Sequence, residues 1–226
     1  MSIQQEKASL RYDKNIDALM AAATEQAVYY LGFLYADGYI DTKGRSLSVA
    51  VHNRDAHLLM SLASFLHMPA EAIRSKKCRN NDQVILTINS KELVNYIGRF
   101  GIVKNKTWGG VPYTFPESRD LRMAFLHGWI DGDGYIKRQC LIAMANKQQA
   151  ETFKEAVQSL GGNCTIGKHG KDNKYYRVLF GYKGNEAWTT EMFNQHIDCL
   201  HRKREAFYTH FQRNTTNRTT DKKPLG

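Results

Sequence analysis

Two segments of this chain carry one pattern. Residues 31–40 read LGFLYADGYI and residues 126–136 read LHGWIDGDGYI. In each, an apolar stretch with a central glycine, Gly32 or Gly128, runs into an Asp-Gly-Tyr-Ile exit. The aspartates before the exits, Asp37 and Asp133, stand 96 residues apart. A chain that delivers one carboxylate twice, from matching helix ends, is built around a pseudo-twofold axis. Similar offsets recur: Asp55, Leu59, Ala63 and Leu66 align with Gln149, Phe153, Val157 and Leu160 at 94, and Lys106 falls on Lys203 at 97. Agreement at three separate places argues for a duplicated unit.

Periodicity supplies the element order. Residues 25–36 are apolar nearly all round, which predicts a helix buried on several sides, with Thr24 as N-cap and Gly38 as its stop. Leu47, Val49 and Val51 alternate with outward Ser48, Ala50 and His52, the pattern of a half-buried strand. A helix over 55–67, strands over 73–77 and 83–88, and a helix over 91–100 complete an α-β-β-α-β-β-α unit. The second half repeats it: helix 119–130, hairpin 135–146, helix 148–160, strands 164–168 and 175–182, helix 185–197. In the last strand Tyr175, Arg177 and Leu179 point outward, whereas 141–146 is apolar on both faces and its orientation is open. The expected organisation is an extension over 1–24, halves over 25–106 and 119–205, a Gly- and Pro-rich linker over 107–118, and a basic tail over 206–226.

Charge narrows the partner. Lys and Arg total 32 against 22 Asp and Glu, a net charge of +10, which favours a polyanion: nucleic acid ahead of an acidic membrane surface. The basic residues concentrate in expected strands and turns: Lys43, Arg45, Arg54, Arg74, Lys76, Lys77, Arg79, Lys137, Arg138, Lys147, Lys168, Lys171, Lys174 and Arg177. On a sheet, such side chains contact phosphates or read guanine edges. The strand and turn residues expected to meet nucleic acid are Arg45, Ser48, His52, Arg54, Lys76, Arg79, Lys137, Arg138, Lys147, Lys168, Lys171, Tyr175 and Arg177. The longest apolar run, 28–36, is too short to span a bilayer, and the N-terminus has no apolar signal core. A soluble intracellular protein with no membrane partner is expected. Cys78, Cys140, Cys164 and Cys199 form no CxxC pair and have no nearby histidine spacing, so no zinc site or disulfide framework is visible.

The helix-end acids carry the chemistry. A helix C-terminus is already negative, so a carboxylate there is unfavourable, and two such ends brought together are strongly electronegative. Divalent cations resolve this, with Asp37, Asp133 and the adjacent main-chain carbonyls of Ala36 and Gly132 as hard oxygen ligands. A single Asp-Gly is plain turn chemistry; the doubled context gives these two a role. Residues 131–134, Asp-Gly-Asp-Gly, do not open an EF-hand, because the sixth and twelfth positions hold Ile136 and Ile142 rather than Gly and Glu. Gly32 and Gly128 cost about 1 kcal/mol each in mid-helix, a cost that close helix–helix approach offsets.

These residues resemble the LAGLIDADG motif of homing endonucleases. Leu31 to Gly38 match from the motif's second residue on, and Leu126 to Gly134 match throughout in pattern; the surrounding element order fits over about residues 25–205. The resemblance implies an α+β fold of two pseudo-symmetric αββαββα units, each with an antiparallel four-stranded sheet saddling the DNA major groove. It implies that the two motif helices pack at the interface of the halves and that Asp37 and Asp133 hold the catalytic metals, Mg2+ with Mn2+ or Ca2+ able to occupy the same sites. Lys106 and Lys203 match lysines that assist the active site, where a lysine stabilises developing phosphate charge. Asp55 and Gln149 fall where the family places a polar residue holding active-site water, although Asp55 also suits the N-cap of its helix. Tyr35 stands where the motif's earlier acid would be.

The resemblance therefore implies a monomeric endonuclease cutting both strands of a long double-stranded DNA site and leaving short 3′ overhangs. An RNA maturase or a DNA-binding regulator on the same fold is the alternative from another class, and retention of both motif acids argues for cleavage. An intein endonuclease is the other rival; residue 1 is not Cys or Ser and no terminal His-Asn pair is present, so a free-standing or intron-encoded protein of bacterial, phage or organellar origin is expected.

Overall fold

In the computed structural model, residues 14–77, 82–99, 101–103, 115–137, 139–169 and 174–209 are described. The first half runs α1 (Ile16–Ala21), α2 (Glu25–Asp37), β1 (Tyr39–Ile40), β2 (Ser46–His52), α3 (Ala56–Phe65), β3 (Ile73–Lys77), β4 (Asp82–Asn89) and α4 (Lys91–Gly98). The second runs α5 (Arg119–Asp133), β5 (Gly134–Ile136), β6 (Gln139–Met144), α6 (Lys147–Ser159), β7 (Thr165–His169), β8 (Tyr175–Gly181) and α7 (Glu186–Asn194), and ends in α8 over 201–209. From α2 to α4 and from α5 to α7 the order is the same α-β-β-α-β-β-α.

Local chemistry starts the helices where the sequence places them. Thr24, Ser90 and Asn146 each accept a backbone N–H with the side chain, from Ala27, Leu93 and Gln149 at 3.2, 3.0 and 2.8 Å, satisfying donors that a helix start leaves unpaired. Gly38 ends α2 as expected, and Gly134 ends α5 in the same way. Gly38 and Gly134 are extended, at φ −68° and −80°, not left-handed. Their lack of a side chain serves space instead: a Cβ would collide with the Leu34 or the Ile130 carbonyl oxygen. The turn between β1 and β2 does use left-handed freedom, at Gly44 with φ +64°.

Each half forms an antiparallel four-stranded sheet, ordered β1-β2-β4-β3 and β5-β6-β8-β7. Leu47, Val49 and Val51 of β2 and Val84, Leu86 and Ile88 of β4 bury one face against the helices. In the second sheet Cys140, Ile142 and Met144 of β6 and Val178 and Phe180 of β8 do the same. The open orientation of β6 is thereby decided: Leu141 and Ala143 face out. Both sheets share one core with α2 and α5, which contains Phe33, Leu34, Phe125 and Trp129, all buried.

Candidate active site and nucleic-acid interface

The site begins where α2 meets α5. A Cβ on Gly32 would strike the Phe125 carbonyl oxygen, and one on Gly128 would strike the carbonyl oxygen of Tyr29, so backbone packs on backbone at both glycines. A Cβ on Gly132 would strike that of Ala36 and stand 3.3 Å from Asp37 Oδ2. The two helices therefore end side by side, and Asp37 and Asp133 are exposed at adjacent C-termini. Two carboxylates, each at the negative end of a helix, form a donor set that suits a hard divalent cation. The carbonyl of Ala36 belongs to a buried residue at 9% exposure. That of Gly132 already accepts from Lys203 at 3.3 Å.

Lys203 is not aimed at solvent. At 4% exposure its Nζ donates to the carbonyls of Ile130, at 2.7 Å, and of Asp131 as well as Gly132. The carbonyls of Asp131 and Gly132 are among those a helix end leaves unpaired, while that of Ile130 also accepts the Gly134 N–H; the ammonium thus caps α5 directly behind Asp133. Burial lowers its pKa, while Asp131 and Asp37 act in the opposite sense. Its neighbours are also occupied. Arg204 donates to the carbonyls of Gln195 and Ile197 at 3.0 and 3.2 Å. Lys106, the partner expected in the first half, lies outside the described residues.

The two halves surround their acids differently. Asp55 is 4% exposed and makes no N-cap bond to α3; both carboxylate oxygens accept from Arg202 Nε, at 3.0 and 2.9 Å. Beside it the His57 and His201 rings stack at 4.2 Å. Gln149, its counterpart, is buried and donates to the Tyr35 hydroxyl at 3.3 Å. Tyr35 thus crosses from the first half to hold the polar residue of the second. Both line a cavity of about 250 Å³ bounded also by Ala36, Trp129, Asp133, Met144 and Tyr175. This space, roomy enough for several waters, adjoins Asp133.

A second polar cluster lies behind the helix ends. Asp131, 1% exposed, accepts from the Tyr29 hydroxyl at 2.7 Å and the Leu200 N–H at 2.8 Å. His127 Nε2 stands 3.9 Å from the same oxygen, too far for a hydrogen bond. With Cys199, the three donor atoms lie within 4.8 Å of one another, a grouping that the sequence spacing hid. Burial lowers the His127 pKa to about 4 and pushes the Cys199 thiol up to about 12. The positive charges of Lys203 and Arg204 also act on His127, and Asp131 Oδ2 is already satisfied. The cluster is best described as a polar pin joining the segment before α8 to α5.

The outward sheet faces flank the acids. In the first half, Tyr39, Ser48 and Thr87 share one cross-strand row, Ala50, Ile85 and Arg74 the next, and His52, Gln83 and Lys76 the third. In the second, Tyr135, Leu141, Leu179 and Thr165 form the row nearest the acid and Ala143, Arg177 and Gly167 the next. Ser48, His52, Lys76, Tyr175 and Arg177 thus stand on these faces as expected. Arg45, Arg54 and Lys137 are exposed at the turns. Two of the expected residues stand off these faces. Lys168 pairs in register with Tyr176, on the face opposite Arg177, and donates to the Tyr176 hydroxyl at 2.7 Å. Lys147 lies in the first turn of α6, paired with Glu151 at 2.9 Å. Arg79, Arg138 and Lys171 lie outside the described residues.

Known proteins share this architecture. The chain superposes on I-DmoI in complex with DNA and Ca at a TM-score of 0.57 with 16% identity, covering 87% of this chain and 100% of the other. For the LAGLIDADG homing endonuclease I-GzeII in complex with its DNA target the TM-score is 0.58 at 11% identity, covering 86% and 92%. Full-length DUF199/WhiA from Thermatoga maritima gives 0.58 at 17%, covering 93% and 67%. The chain has the LAGLIDADG fold. No family model matches it. By sequence it is 29% identical over 168 residues to an A-type ATP synthase subunit from Pyrococcus abyssi, and 26% over 167 residues to the replication factor C small subunit of Methanocaldococcus jannaschii. Each match takes in 71% of this chain but only 16% and 9% of the relative. No described helix is long and apolar enough to cross a membrane.

Proposed function

On the premise of the LAGLIDADG fold, we propose that this chain is a homing endonuclease that makes a divalent-metal-dependent double-strand break at a long DNA site. The observation that carries the reading is the pairing of Asp37 and Asp133, exposed at adjacent ends of helices packed through glycine. Asp37 and Asp133 would hold Mg2+, with the Ala36 and Gly132 carbonyls within reach; Mn2+ or Ca2+ suits the same oxygen donors. Such a metal supplies Lewis-acid polarisation of a phosphate and an ionised water. The chain's own residues keep the acids in place and the duplex in register. Lys203 closes the helix end behind Asp133, Gln149 and Tyr35 shape the space beside it, and Arg202 holds Asp55 in the other half. The outward sheet faces, with Arg74, Lys76 and Arg177, meet the grooves and phosphates.

The curated relatives support a mobile element. A segment resembling this chain occupies a small fraction of an ATP synthase protein and of a replication factor protein. The chain contains no Gly-x4-Gly-Lys-Ser/Thr loop, so what they share with it is not a phosphate-binding loop of that kind. One segment recurring in proteins of different roles is what an inserted element leaves.

A DNA-binding protein that does not cut is the second reading. It is favoured by Lys203, whose ammonium is committed to carbonyls and not turned toward a phosphate. Asp37→Asn and Asp133→Asn discriminate. Each is expected to abolish metal-dependent double-strand cleavage of a selected site while changing gel-shift affinity by less than about threefold, since the change removes a metal ligand and leaves the sheet faces intact. Cleavage at the parental rate by either variant overturns the assignment of the acids. Absence of any nicking by the parent protein with Mg2+ or Mn2+ favours the second reading.

A further inference from the structure

The two sheet faces are duplicated in backbone but not in chemistry. In the row beside Asp37, Ser48 and Thr87 present hydroxyls that hydrogen-bond each other at 2.9 Å. At the equivalent row beside Asp133 the same two strand positions hold Leu141 and Leu179, half-buried on the outer face. They are flanked by Tyr135, 54% exposed, and Thr165. Solvent-facing leucines paired across strands at the centre of a sheet are costly to leave wet, and their hydroxyl counterparts show that the fold does not need them there. The next row differs too. The first half has Arg74 on the edge strand opposite Ile85. The second has Arg177 opposite Gly167 and Ala143, lying over Gly167 so closely that a Cβ there would stand 3.2 Å from Arg177 Nε. That Nε is buried without a hydrogen-bond partner among the described residues.

We infer that the two half-sites are read by different chemistry, the second by thymine methyl groups at the leucine row and by a guanine at Arg177. This rests on the DNA-binding reading above and names which bases the second sheet accepts. In the major groove the thymine C5 methyl is the one apolar group a base edge offers. Leucine set against a guanine or cytosine edge leaves buried donors and acceptors unpaired, which costs affinity for the wrong base. Ser48 and Thr87, each both donor and acceptor, tolerate several edges instead. Arg177, held between two small residues, presents its guanidinium to guanine O6 and N7. The rows are two residues apart along the strands, about 6.8 Å. This is about two base-pair steps of 3.4 Å, so the guanine falls about two base pairs farther from the cleavage centre than the thymine.

The test uses the full chain and modified DNA. Sites are selected by binding from a randomised duplex library, and affinity is then measured for the selected duplex with single thymines replaced by deoxyuridine and single guanines by 7-deazaguanine. In one half-site only, loss of one thymine methyl is expected to weaken binding about three- to fivefold, the contribution of one buried methyl group. Loss of one guanine N7 about two base pairs outward should weaken it also. Leu141→Ser with Leu179→Thr, which installs the residues of the first half at half-buried positions of the outer face, should remove the methyl dependence. Deoxyuridine tolerated at every position, or a methyl dependence that survives the double substitution, overturns the inference while leaving DNA binding intact. Recovery of no preferred duplex overturns both readings.

Discussion

At the residue scale, the side chains around the helix ends act on backbone groups and on each other before they act on any ligand. Lys203 is the clearest case. Its replacement by Met removes a buried cation and takes its donor from the carbonyls of Asp131 and Gly132, while the Ile130 carbonyl keeps the Gly134 N–H. The expected loss is about 2–3 kcal/mol in urea unfolding, with cleavage slowed because Asp133 stands on the loosened turn. Unchanged stability would return Lys203 to the role of a plain phosphate contact. His127 gives a pH dependence. Its pKa falls from 6.5 to about 4, chiefly through burial, with Arg204 and Lys203 adding to the effect and Asp131 opposing it. The unfolded chain takes up the proton as pH drops through 6.5 and the folded chain only near 4, so stability is held above that window and lost as pH falls across it. The loss is up to about 3 kcal/mol, since one pKa unit corresponds to about 1.4. His127→Phe keeps the edge-on packing against Tyr29 and Phe193 and should flatten this slope in unfolding measured between pH 7 and 4.5. The same pH slope in the variant would show that other groups set it.

At the element scale, the glycine positions decide how α2 and α5 meet. Propensity alone says that Gly32→Ala or Gly128→Ala stabilises a helix by about 1 kcal/mol. Backbone contact says the reverse, because an added Cβ meets carbonyl oxygens that cannot move without parting the helices. Each is expected to lower stability by about 2–3 kcal/mol net, read as a fall in the thermal midpoint. Gly44→Ala, with nothing within 4 Å but φ +64°, should cost only about 1–2 kcal/mol, from its left-handed backbone. A raised midpoint for Gly32→Ala would mean the helices are farther apart than described. The elements themselves were legible in the sequence wherever one face is polar: β2 and β8 were oriented correctly from alternation. Strand β6 was not, because Leu141 and Ala143 are as apolar as Ile142 and Met144, and only the helices on one side distinguish them.

At the scale of the whole molecule, charge is sorted by face, and sequence position does not reveal the sorting. Arg74 and Lys76 lie on the outward face of β3, whereas Lys168 lies on the other face of β7. Binding to duplex DNA should weaken linearly in log–log form with salt. Arg74→Gln with Lys76→Gln should reduce the magnitude of that slope by about 2, near 0.9 for each phosphate no longer neutralised. Lys168→Gln should leave it unchanged. Fluorescence anisotropy at four salt concentrations distinguishes these outcomes; a flattened slope for Lys168→Gln would place the duplex on a wider surface than the two faces.

The sequence by itself determined the duplication, the α-β-β-α-β-β-α order, the Thr24 cap and the placing of two acids at matching helix ends, because repeats, periodicity and local capping are properties of residues near one another in the chain. Tertiary structure alone decided what the polar residues hold. Lys203 lies 70 residues beyond Asp133, and no local pattern shows that its ammonium ends on the carbonyls behind that acid. Arg202 on Asp55, Tyr35 on Gln149 and Tyr29 on Asp131 are likewise bonds between segments distant in sequence. Each is fixed because burial leaves a charge or hydroxyl no water to turn to, so it takes whichever partner the packed halves bring within reach.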